Sequence, residues 1–177
     1  MKDFLELAGQ RQSSRGFTDK PVEHEKLVKC IEAARLAPSG CNAQPWSFVV
    51  VEKPDLVAEV AKATQQMGMN GWSSTAKAFV VVLEEHAVLM PAIRKLIESQ
   101  YFAKADLGGA YLSICLEAAS QGLGSCIIGI FDREHLAKTL DIPIEKTFAV
   151  VIALGYPDEE KIRQKVRKPL EEIARFL

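Results

Sequence analysis

The chain lacks most of the marks of specialised protein classes. Its four cysteines, Cys30, Cys41, Cys115 and Cys126, form no Cys-x-x-Cys pair and have no zinc-like spacing. Three lie in apolar segments, where a thiol packs as a small hydrophobe; Cys41 lies in a loop, as a small filler or as a thiol beside a ligand. His24, His86 and His135 are scattered and meet no Cys or carboxylate at ligand spacing, so no metal site is expected. No Ser-His-Asp or Cys-His arrangement suggests a nucleophile, and no catalytic side chain is assigned. A formal net charge of −1 gives no general pull toward nucleic acid or an anionic membrane. Met1-Lys-Asp-Phe-Leu-Glu-Leu holds no apolar core of signal-peptide length, and no stretch is long enough to span a bilayer, so a cytoplasmic location is the expectation. Gly122, Gly124 and Gly129 follow a helical segment rather than a first strand, and their spacing is not G-x-G-x-x-G.

What is present reads as one ordinary globular domain over residues 1–177, with 48% hydrophobic and 25% charged residues and neither repeats nor linker. Apolar spacing predicts a short helix from Lys2 to Gln10. A second opens at Thr18-Asp-Lys-Pro21, carries Leu27, Cys30, Ile31 and Ala34, and stops before Pro38. Trp46 to Glu52 reads as a strand. Pro54 then starts a helix with Leu56, Val60, Ala63 and Met67 in one stripe, broken by Met67-Gly-Met-Asn-Gly71. Phe79 to Leu83 is a buried strand, and residues 87–104 turn helical after Pro91 as a candidate mobile cover. The segment from Ala105 to Gln121 is apolar on nearly all sides, which places it inside the molecule or against a second subunit. Ser125 to Phe131 reads as a strand in which Gly129 marks a bulge or a close approach to a ligand. Asp132 caps a helix from Arg133 to Leu140, Phe148 to Leu154 is a fourth strand, and Leu170 to Leu177 is a final amphipathic turn or two.

Three polar clusters stand out. Ala37 to Trp46, Ala-Pro-Ser-Gly-Cys-Asn-Ala-Gln-Pro-Trp, stiffens its backbone with two prolines and carries Ser39, Asn42 and Gln44. In an extended loop these would face one side and suit a flat, polar-rimmed ligand; in a compact loop they bond their own backbone. Arg11 and Arg15 are four apart, on one face if the first helix continues, with Ser13 between them. Lys161, Arg163, Lys165 and Arg167 alternate, which in an extended chain sets four cations on one face. Each basic cluster suits either solvent or a phosphate, and together they suggest one shared anion.

With those pieces in order, the sequence resembles the nitroreductase family of FMN-dependent oxidoreductases in its compact form. The matching features are Arg11-Gln-Ser-Ser-Arg15, Pro38-Ser-Gly-Cys-Asn42-Ala-Gln44-Pro-Trp46, Ala105-Asp106-Leu-Gly-Gly, Gly122-Leu-Gly124 with Ile128-Gly129-Ile-Phe-Asp132, and Lys165-Val-Arg167-Lys-Pro169. The resemblance implies an α+β fold, a central mainly antiparallel sheet flanked by helices, and an intertwined homodimer with FMN at its interface. It implies that Arg11, Ser13, Lys165 and Arg167 hold the FMN phosphate and ribityl chain and that Arg15 lies near the pyrimidine edge. Pro38, Ser39, Gly40 and Asn42 from the partner subunit would line the isoalloxazine, Ile128 and Gly129 would bring backbone to N5, and Asn70 would bond the pyrimidine. The implied activity is hydride transfer from NADH or NADPH through FMN to a nitroaromatic, quinone or similar acceptor, with ping-pong kinetics. The alternatives are a specialised family member acting on one metabolite, or an FMN-binding store or redox sensor without turnover.

Overall fold

The computed structural model describes residues 3–95, 97–159 and 161–177; Lys2, the expected start of the first helix, lies outside them. Four strands, β1 (Trp46–Val51), β2 (Ala78–Glu84), β3 (Gly124–Ile128) and β4 (Thr147–Gly155), form one antiparallel sheet in the order β1-β2-β4-β3. The helices are α1 (Phe4–Gln10), α2 (His24–Arg35), α3 (Pro54–Ala63), α4 (Pro91–Arg94), α5 (Ser99–Ser120), α6 (Arg133–Leu140) and α7 (Leu170–Ile173). The expected α+β fold is the one observed.

The unbroken apolar run of β2 follows from burial on both faces. Successive strand residues point to opposite sides. Phe79, Val81 and Leu83 belong to one core with Val57, Val60 and Ala61 of α3 and Leu136 of α6. Ala78, Val80 and Val82 belong to the other, with Leu27, Cys30 and Ala34 of α2 and Leu107, Ala110 and Ile114 of α5. The molecule is therefore layered helix, sheet, helix.

Several boundaries differ from the sequence pattern, each for a local reason. α2 begins at His24 rather than near Thr18 because the backbone before it is engaged at the sheet end: Phe17 bridges Pro157, and the Thr18 amide donates to the Tyr156 carbonyl at 2.8 Å. α3 ends at Ala63, and Met67, expected on its buried stripe, is 89% exposed with φ 56°. β3 stops at Ile128 rather than Phe131, because the Asp132 amide turns away to the Ala63 carbonyl at 2.7 Å and Phe131 packs on the first core. Asp132 does cap α6, accepting from the His135 amide at 2.9 Å. α5 runs back to Ser99 and closes at Gly122, φ 77°, with the Leu123 amide on the Ala118 carbonyl and the Gly122 amide on that of Ala119. No helix among the described residues is long and apolar enough to cross a membrane.

Within the chain, close approaches are made at glycines other than Gly129. Gly124 and Gly155 face each other across β3 and β4, and the chain from Ser14 to Phe17 lies on this bare patch. A Cβ on Gly124 would sit 2.5 Å from Ser14 Oγ, and one on Gly155 would sit 2.7 Å from Phe17 Cδ1, whereas one on Gly129 would meet nothing within 4 Å. Because buried Phe17 has no room to move, Gly155→Ala is expected to destabilise by about 1–3 kcal/mol. Urea unfolding checks this as a lowered midpoint with an unchanged slope.

A polar knot joins α2 to the ends of α5 and β4. The Lys26 ammonium donates to the Gln121 carbonyl at 2.9 Å and to Tyr156 Oη at 2.8 Å, and Tyr156 donates to Glu23 at 2.7 Å. That Tyr156 hydroxyl, more than any other contact, lowers the Glu23 pKa from 4.5 to about 2. A carboxyl with a depressed folded pKa stabilises the fold above its unfolded value and loses that contribution as pH falls through the folded one. Tyr156→Phe is therefore expected to flatten the pH dependence of the thermal midpoint between pH 4.5 and about 2. An acid limb identical to wild type would remove this contact as its cause.

Candidate functional site

α1 ends at Gln10, and Arg11 is already extended at φ −61°, ψ 121°. The helical reason for grouping Arg11 with Arg15 therefore does not hold. The grouping survives for another reason: where the chain is extended, residues two apart share a side, so Arg11, Ser13 and Arg15 fall together while Ser14 turns inward over Gly124. Ser13 bridges Ser125 in parallel, which lays this segment along β3 and carries Arg15 toward the Ile128–Gly129 end. The Arg15 guanidinium is close enough to oppose the upward shift that burial gives the Cys126 thiol.

Arg11, Ser13 and Arg15 line a cavity of 310 Å³ together with Arg163, Lys165 and Arg167. Two segments about 150 residues apart in sequence thus meet, as the sequence suggested. Lys161, the fourth cation of the alternating stripe, is not in the lining; its carbonyl accepts from Gln12 Nε2 at 3.4 Å. No carboxylate among the described residues lines the cavity. Among the described residues Arg11, Arg15, Lys165 and Arg167 make no ion pair, while Arg163 pairs with Glu159 at 3.6 Å. The Lys165 ammonium donates to the Arg11 carbonyl at 2.7 Å, and its pKa is pushed down first by burial and then by Arg11, Arg167 and Arg163. This is a concave cluster of like charges whose repulsion an anion would relieve, with the planar donor forks and a hydroxyl that suit a phosphate.

The other expected residues lie apart from this cavity. Gly40 to Asn42 form a 3-10 turn, with Cys41, Asn42 and Gln44 at φ 53°, 55° and 46°. The loop is compact rather than extended, so its polar side chains do not form a row. Ser39 Oγ accepts from the Gln44 amide at 3.0 Å, and Gln44 Nε2 donates to the Asn42 carbonyl at 3.1 Å. The loop docks on α5: the Gly40 amide donates to Asp106 Oδ2 at 3.0 Å, and a Cβ at Gly40 would sit 3.2 Å from the Phe102 side chain. Three non-glycine residues in the left-handed region cost about 1–2 kcal/mol each, and these contacts hold them there. Pro38, Ser39, Gly40 and Asn42 do not line the cation cavity, nor does Asn70, whose Nδ2 donates to the Thr64 carbonyl at 3.1 Å. Ile128 is buried in the first core, and Gly129 is exposed beside it with open space above.

Gln12 and Asp106 carry contacts that residue type alone did not reveal. Asp106 is legible only as part of a motif, and Gln12 only as the residue between two site positions.

Comparison with known proteins identifies the family. The family model described as "Nitroreductase family" matches residues 8–156, a span that ends before Lys165 and Arg167. An oxygen-insensitive NADPH nitroreductase of Helicobacter acinonychis is 31% identical over 204 aligned positions, covering 97% of this chain and 95% of that protein. The crystal structure of a nitroreductase family protein from Streptococcus pneumoniae TIGR4 superposes with a TM-score of 0.84 at 27% identity, covering 99% of this chain and all of that one. An FMN-dependent nitroreductase from Clostridium difficile R20291 superposes with a TM-score of 0.78 at 25% identity, with 98% of each chain covered. The order of the motifs, the layered sheet and these matches over most of the chain agree: the protein belongs to the nitroreductase family of oxidoreductases.

Proposed function

We propose that residues 1–177 form a single FMN-binding domain, working as a cytoplasmic homodimer, that passes hydride from NADH or NADPH to a nitroaromatic, quinone or similar acceptor. The observation that carries this reading is the cavity where Arg11, Ser13, Arg15, Lys165 and Arg167 meet. Arg11, Ser13, Lys165 and Arg167 hold the phosphate. Arg15, directed along β3, supplies positive charge toward the pyrimidine edge, and Gly129 leaves backbone accessible there. When bound, FMN supplies the N5 that accepts hydride from the nicotinamide and delivers it to the acceptor. No protein side chain is needed as nucleophile.

The homodimer is favoured by the separation of the loop from the cavity. Pro38, Ser39, Gly40 and Asn42 are held on α5, away from their own chain's cations, and would face a partner's FMN. Leu112 on α5 is 46% exposed, as are Phe176 at 83% and Leu177 fully at the end of the chain, apolar surface that a second subunit would cover.

Anaerobic titration of the FMN-loaded protein with NADH and then NADPH is expected to bleach the visible flavin band. A band that stays yellow with both would exclude the reductase. Steady-state rates with donor and acceptor varied are expected to give parallel reciprocal lines, since both use one site in turn; intersecting lines would exclude that order. Lys165→Ala combined with Arg167→Ala removes two charge-assisted contacts of about 1.5–3 kcal/mol each, so FMN affinity is expected to fall at least about a hundredfold in a fluorescence titration.

A further inference from the structure

The segment that brings Arg163, Lys165 and Arg167 to the cavity has little of its own to hold it there. It forms neither helix nor ladder, and its apolar residues do not anchor it: Ile162 is 52% exposed and Val166 is 88% exposed. The cations it carries face Arg11 across the cavity, and after burial, the larger cause, Arg11 also pushes the Lys165 pKa down. Beside the bond from the Lys165 ammonium to the Arg11 carbonyl, what opposes that repulsion is centred on one neutral side chain. Gln12 Oε1 accepts from the Arg163 amide at 3.0 Å and from Arg163 Nε at 3.3 Å, while Gln12 Nε2 donates to the Lys161 carbonyl at 3.4 Å and to Glu159 at 3.5 Å. Arg163 completes the arrangement, donating to the Ser13 carbonyl and pairing with Glu159 at 3.6 Å.

We infer that Gln12 and Arg163 are positioning residues: they strap residues 161–167 onto residues 11–15, and the strap and a phosphate at the cavity stabilise each other. The inference rests on the FMN reading of the cavity. Linkage gives its form. An anion that binds only when both basic stripes are in place favours the docked segment, and any contact that favours the docked segment tightens the anion by the same factor. Arg163 differs in this from Lys165 and Arg167, since its guanidinium is already engaged with Gln12, Ser13 and Glu159. Gln12 needs no charge, which would add to the repulsion or compete with the phosphate.

The test compares FMN with riboflavin, which lacks the phosphate, on wild type, Gln12→Ala and Arg163→Ala, by fluorescence titration and by limited trypsin digestion. Trypsin cuts after exposed Arg163 and Arg167 and after half-buried Lys165. Wild type is expected to bind FMN more tightly than riboflavin, and FMN or inorganic phosphate, but not riboflavin, is expected to slow cleavage in the segment. Gln12→Ala is expected to weaken FMN by about tenfold with riboflavin unchanged, and to be cut faster at equal FMN concentration. Arg163→Ala, altered on the other side of the contact, is expected to reproduce the FMN loss. Equal FMN affinity in wild type and both variants would overturn the strap and leave the FMN site standing. Equal loss of FMN and riboflavin would overturn it too, since the residues would then support the fold and not the phosphate limb. A wild type that binds neither flavin would overturn the FMN reading itself.

Discussion

β2 and β4 make their ladder hydrogen bonds between two apolar layers, away from water, and this two-sided burial sets the positions of the remaining elements. Helices α2 and α5 must lie on one face and α3 and α6 on the other, because Phe79, Val81 and Leu83 point one way and Ala78, Val80 and Val82 the other. β3 is left at the edge, and its outer backbone is free to accept the chain leaving α1. The facing glycines Gly124 and Gly155 let that chain lie close enough for Ser13 to bridge Ser125. The position of the cation cavity is thus a consequence of how the sheet ends.

Gathering several cations around one concavity works against stability in the absence of an anion, and a folded chain accepts such a cost mainly where the anion is part of its function. Here the compensation within the chain is made from neutral contacts: the Gln12 amide and the backbone carbonyls of Arg11 and Ser13. The 38–44 loop shows a second form of stored cost, in backbone conformation instead of charge. Its left-handed residues are held by Asp106 and by bonds within the loop, which keeps the Ser39 to Asn42 backbone rigid and offers it outward. Within one chain the loop and the cation cavity lie apart from each other.

Much of this was legible in the residues. The four strands, the capped α6, the glycine-closed α5 and the joining of Arg11, Ser13 and Arg15 with Lys165 and Arg167 all follow from periodicity, turn chemistry and charge. Two boundary differences share one cause, a distant partner that outweighs a local pattern. Thr18 has the chemistry to open a helix, yet its amide is taken by Tyr156; Phe131 continues an apolar strand, yet Asp132 turns to Ala63. Arg11 and Arg15 were grouped by a helical spacing that is not there, and the grouping held only because an extended chain brings alternate residues to one side.

The sequence by itself determined the class of fold and the family, because hydrophobic period and the order of short motifs are local properties that burial then enforces. Tertiary structure alone decided which side chains act on one another. The pairing of Gln12 with Arg163, the seating of Ser14 on Gly124, and the turning of the 38–44 loop onto Asp106 depend on where the sheet ends and which backbone groups are left unpaired there. Those are properties of the assembled hydrogen-bond network, and no window of neighbouring residues contains them.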